Sequence, residues 1–158
     1  MAGTFDAAAV KALMAAVRTV PARLGALRSS VVFHEPVAPP AALPSLALWF
    51  GPVEPVGAVS GLSEVSGRVT VQGRIFVTDA TRASDKTEEL MLTLTSTVLG
   101  GFAGAFTLGG SAMFCDLLGA YGQKLSAVPG YVTYSGAQYR AVECGFPIII
   151  DPLWTEAP

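Results

Sequence analysis

The segment that most restricts how this chain folds is residues 68–78. Val69, Val71, Ile75 and Val77 alternate there with Arg68, Thr70, Gln72, Arg74 and Thr78. A period of two marks a β-strand with one apolar and one polar side. Such a strand needs a sheet to pair with and a second layer to cover its apolar side. Gly73 interrupts the pattern and predicts a bulge or a close backbone approach. Phe76 interrupts the polar side and is a candidate contact residue.

Two segments have the period of a covering helix. Over residues 6–19, Val10, Leu13, Met14 and Val17 form a stripe, Asp6 stands at the N-cap position and Pro21 lies past the end. Over residues 84–99, Leu90, Met91, Leu94, Val98 and Leu99 oppose Lys86, Glu89, Thr93, Ser96, Thr97 and Gly100. Gly100-Gly101 is the expected stop. Residues 90–115 carry no charge, which is length enough for a bilayer, and contain Gly100-xxx-Gly104. The polar stripe assigns the helix to a core instead, so no membrane partner is expected. Asp79, Asp85, Glu88 and Glu89 suit the positive end of that helix dipole better than they suit catalysis.

The remaining elements are read from apolar runs and breakers. Residues 28–34 form a short strand, and Pro36 to Pro44 an extended proline-rich loop. Leu46-Ala-Leu-Trp-Phe50 is a strand buried on both faces. Residues 52–67 are expected to be a long connecting loop. Strands follow at 111–118 and 122–128, then a turn at Pro129-Gly130, then strands at 131–134 and 138–150. Pro147 predicts an edge or a break, and residues 151–158 a peripheral tail. The sum is one α+β domain over residues 1–158: a single mixed, largely antiparallel sheet with two main helices packed on it.

Chemistry is sparsely represented. His34 is the only histidine, and Cys115 and Cys144 stand far apart without a CxxC. A zinc site needs about four suitably spaced ligands, so no metal is expected, and the cysteines read as buried hydrophobes. His34-Glu35 lacks an accompanying nucleophile motif. Gly100-Gly101, Gly104 and Gly109-Gly110 match no phosphate loop. Tyr121, Tyr131, Tyr134 and Tyr139 could suggest base stacking, but core or interface packing is the expected role. No catalytic residue and no cofactor is assigned. The ten basic residues are scattered and the net charge is −2, which argues against tight nucleic-acid binding.

Charge is scarce: 14% of residues, against 51% hydrophobic. Ordinary soluble domains carry about 25% charged residues. A surface so poor in charge fits a protein covered by partners, although a compositional bias towards Ala, Val and Gly has the same effect. Long, uncharged, partly apolar loops are the candidate interfaces: Val53, Val56, Val59, Leu62 and Val65 in one, Pro39 and Pro40 in the other, with Phe76 added from the strand.

The order of these elements resembles the tail terminator proteins of long-tailed bacteriophages, especially those infecting actinobacteria. The likeness rests on the helix with Val10-xx-Leu13-Met14, the proline-rich loop 36–44, the strand 46–50, the long loop, the strand 67–78, the helix 84–99 and the closing strand 139–150. The resemblance implies a virion protein of the tail or neck, assembled in the host cytoplasm. It would form a homo-oligomeric, hexameric ring at the head-proximal end of the tail. Its partners would be the tail-tube protein and the head-tail connector protein, with DNA passing through the lumen without specific binding. It implies no enzyme activity. Residues 100–112 depart from the family texture. The alternatives are another neck, head-completion or tail-tube protein, or a small-ligand-binding bacterial α+β domain.

Overall fold

The computed structural model describes residues 3–27, 30–57, 63–104 and 113–156. The fold is α+β: the described residues form a seven-stranded, mostly antiparallel sheet with two helices. Its spine is β7 (Ala137–Thr155), which pairs along one side with β4 (Glu64–Asp79). Along its other side β7 takes β6 (Ser126–Tyr134), β5 (Met113–Cys115) and β1 (Thr4–Phe5) in succession. Beyond β4 come β3 (Ser45–Val56) and then β2 (Val31–Val32), the one parallel neighbour.

The alternation read at 68–78 places β4 centrally. Val69, Val71, Ile75 and Val77 enter the core with Leu46 and Leu48 of β3 and Val142, Cys144, Phe146, Ile148 and Ile150 of β7. The helix layer covers this side. Helix α1 (Ala7–Val17) contributes Leu13 and Val17, and Asp6 caps it by accepting from Ala9 N at 2.9 Å. Helix α2 (Asp85–Gly104) contributes Met91, Leu94, Val98 and Phe102. Phe102 stacks on Phe146 with centroids 3.8 Å apart. Gly73 is a close approach, as expected: a Cβ there would lie 2.9 Å from Phe146. Leu90 leaves the expected stripe and is 39% exposed.

Several expected boundaries move. Residues 52–67 are not one long loop, because β3 continues to Val56 and β4 begins at Glu64. Pro52 is absorbed by a shift of register between Phe50 and Val53, and Pro55 stays in register opposite Gly67. Helix α2 does not stop at Gly100-Gly101. Gly101 faces Leu24, where a Cβ would come within 2.8 Å, so the small residue serves helix packing rather than termination.

Pro129-Gly130 lies inside β6, opposite Val142 and Ala141, and the expected strand 122–128 begins only at Ser126. The turn falls at Ser135-Gly136, both with positive φ, as a two-residue hairpin between Tyr134 and Ala137 requires. Pro147 does not break β7. Its carbonyl accepts from Asp116 N, so its nitrogen lies on the same side, in the gap between the β6 partner Gly145 and the β5 partner Ile148. Of the expected strand 111–118, Met113–Cys115 is strand, residues 116–118 are not, and residues 111 and 112 lie outside the described residues. Residues 151–155 belong to β7 and pair with β1 and β4, so they are no peripheral tail.

Candidate interaction surfaces

The side of the sheet away from the helices is polar at its centre and knitted by arginines. Arg74 of β4 donates to Glu143 of β7 and to the Tyr134 hydroxyl of β6, and its guanidinium lies over Trp49. Burial opposes its charge, but Glu143 and Tyr134 outweigh that cost and push its pKa up. Arg68 pairs with Glu54 and donates to the carbonyl of Tyr121. On the opposite, helix-covered side, Arg140 of β7 pairs with Glu88 of α2 at 3.2 Å and lies over Tyr131. These are the three ion pairs among the described residues, and each joins separate elements.

The proline-rich loop folds over one end of this face. Tyr134 donates to the carbonyl of Pro36 at 3.1 Å and ties the loop to β6. Between loop and sheet lies a cleft of about 310 Å³, mostly apolar, bordered by His34, Val37, Pro39, Pro40, Ser45 and Phe76. Three residues selected from the sequence thus come together: Pro39, which is exposed, Pro40, half-buried, and Phe76 at the base. Phe76 is 2% exposed, because the rings of Tyr134 and Tyr139 cover it at 5.9 and 6.2 Å. It belongs to this chain's own packing rather than to an open contact surface.

The other candidate residues scatter. Val56 is buried in β3 opposite Ser66, and Val53 and Val65 are half-buried within strands. They are sheet residues, not loop contacts. Val59 and Leu62 lie outside the described residues.

Sequence reasoning missed Asp116. Its buried carboxylate accepts from the backbone N–H groups of Gly119, Ala120 and Tyr121 at 2.8 to 3.0 Å. A carboxylate bound by three amides fixes a turn, and Leu118 projects from that turn 90% exposed. Also missed is a groove between α2 and β6, lined by Glu88, Met91, Leu92, Ala127, Pro129 and Val142. Leu92 in its wall is 72% exposed. Val128, opposite Glu143 on the other side of the sheet, is 62% exposed. No sequence spacing announces either feature, since both are made by elements distant along the chain.

The cysteines are buried and unpaired, as read from the sequence. Burial, with Asp116 and Glu143 as nearby charges, pushes both thiols up to about 12. Among the described residues no group of three or more His, Cys, Asp or Glu could hold a metal, and no helix is long and apolar enough to cross a membrane. Asp79 caps the short 3-10 turn Ala80–Arg82, and the backbone and hydroxyl of Thr81 hold its pKa low.

No family model matches this chain, and no curated protein matches it. Among solved structures, one similar chain, whose name describes no function, aligns at TM-score 0.48 and 18% identity. The alignment covers 89% of this chain and 94% of the other. Likeness at that level carries no functional argument.

Proposed function

We propose that this protein is a structural subunit that works by assembly: a tail-terminator-like virion protein forming a ring at the head-proximal end of a phage tail. The observation that carries the reading is the amount of large apolar surface left in water on a chain with 14% charged residues. Leu118, Val37, Leu92 and Val128 are 90%, 89%, 72% and 62% exposed, and they lie on four separate elements or loops. Apolar groups distributed around a subunit suit several contacts at once, as in a ring that also docks above and below. The charged groups of the sheet are engaged in ties between strands and to α2, which supports a scaffold role over chemistry. The finer terms of the proposal, namely six subunits, a tube on one side and a connector on the other, come from the family resemblance.

Electron microscopy of the purified protein, and of particles labelled with an antibody to it, tests the reading. Discrete rings, with label at the junction of head and tail, are expected. Long tubes would make it a tube subunit instead. A monomer absent from every particle would overturn the proposal. The apolar cleft under the proline-rich loop favours a second reading, a small-ligand-binding domain. Thermal-shift screening with apolar compounds tests that reading, which predicts stabilisation that Pro40→Ala weakens.

A further inference from the structure

The sheet has two open edges, and their directions are fixed by its topology. Strands β3, β4, β7 and β6 lie side by side, each antiparallel to the next. Four alternating strands leave the outer two, β3 and β6, running in opposite directions. Strand β2 covers β3 only at Leu46 and Ala47. Among the described residues no strand pairs with residues 48–55 beyond that point, nor with the outer side of β6. Unpaired edges of this length are templates for another strand.

A copy related by rotation about an axis roughly along the strands keeps the same strand directions. Its β3 therefore meets β6 of the first copy antiparallel, and both helix layers stay on one side of the joined sheet. We propose that copies of this chain join in this way, β6 of one on residues 48–55 of the next, so that one sheet runs through the assembly. The proposal rests on the self-assembly reading above and names the surfaces that carry it.

Side chains and charge agree with this occupant. On the helix side, β6 offers Tyr131, opposite Arg140, and β3 offers Phe50, opposite Val71; they are 55% and 48% exposed. Strand β6 contains no Asp, Glu, Lys or Arg, and residues 48–55 contain one, Glu54. Antiparallel pairing brings the start of β6 to the end of β3. Exposed Lys124, which is in none of the three ion pairs among the described residues, stands just before β6. With Ser126 matched to Pro55 it would stand about three residues along the strand from Glu54, roughly 10 Å at ~3.3 Å per residue and within joint reach of the two side chains. The Glu54 side chain is 51% exposed. Pro129, Pro52 and Pro55 remove donors from the two edges, which makes them poor templates for arbitrary strands and leaves fewer workable registers.

The register also sets a stagger. Ser126 at the start of β6 is level with Gly145, Gln72 and Trp49 across the sheet. Matching it to Pro55 slides the neighbour by about 20 Å at ~3.3 Å per residue. A stagger of this kind inclines the strands to the ring axis, as in a closed barrel.

The test places one cysteine at each edge of the full chain, Lys124→Cys with Glu54→Cys, and adds a short bis-maleimide. The native thiols are buried and stay unreactive near neutral pH. Sedimentation of the unmodified protein at high concentration runs in parallel. The expected result is an oligomer in sedimentation and a ladder of cross-linked multiples from the double variant, with no species beyond the dimer from either single variant. An oligomer without the ladder overturns the edge pairing and leaves self-assembly standing. A monomer that gives no cross-linked product overturns both.

Discussion

At the residue scale, the two faces of α2 give the sharpest contrast. Leu94 is 4% exposed against the sheet, whereas Thr93, one position away, is exposed and donates its hydroxyl to the carbonyl of Glu89. Leu94→Asp buries an unpaired carboxylate and should cost at least ~3 kcal/mol, enough to unfold a marginal domain. Thr93→Asp should change the melting temperature only slightly, and circular dichroism melts of the two variants check the face assignment. Asp116 supplies a second test. Removing it as Asp116→Ala strips three backbone amides of their acceptor, a loss on the order of 3 kcal/mol if all three stay out of water. Hydrogen exchange should then quicken at Gly119, Ala120 and Tyr121 before it quickens in β4 or β7.

At the element scale, what the sequence revealed divides along one line. Strand 68–78 and the first half of β3 were legible because their side chains alternate or are continuously apolar. The second half of β3 and the end of β7 were not, because Pro52, Pro55 and Pro152 carry the composition of loops while the backbone remains paired. The β6–β7 turn was misplaced because Pro129-Gly130 is the stronger local turn signal, and long-range pairing with Val142 and Ala141 overrides it. The surfaces were less legible than the fold. Pro39 and Pro40 do border a cleft, but the α2–β6 groove and the open edges depend on which strands become neighbours. The two glycines of α2 make a paired prediction. Gly100 is exposed, and a methyl group added there would meet nothing within 4 Å, so Gly100→Ala should stabilise by about 0.5–1 kcal/mol through helix propensity. Gly101→Val drives a side chain into Leu24 and Val20 and should destabilise by about 1–3 kcal/mol. Chemical denaturation of the two variants should move the midpoint in opposite directions.

At the scale of the whole molecule, the buried thiols make stability fall at alkaline pH. Both are raised from 9.0 to about 12 by burial. Between those values the unfolded chain has released protons that the folded chain still holds. Stability is therefore fully present below pH 9 and falls as pH rises towards 12. A Cys115→Ala/Cys144→Ala variant should start less stable, because two buried side chains shrink, yet lose less on going from neutral to alkaline pH. Denaturant titrations across that range measure the slope. The place of β7 as the spine has a further consequence, one of timing. Strands β1, β4, β5 and β6 all find their partner in residues 137–155, which the ribosome makes after every one of them. Until then, among the described residues, the growing chain holds the β3–β4 hairpin, the β2 contact and helices with nothing complete to lie on. Folding becomes a late, all-or-none event dominated by distant pairings, and a synthesis that stalls before β7 leaves a chain with neither a finished sheet nor edges fit to join a neighbour.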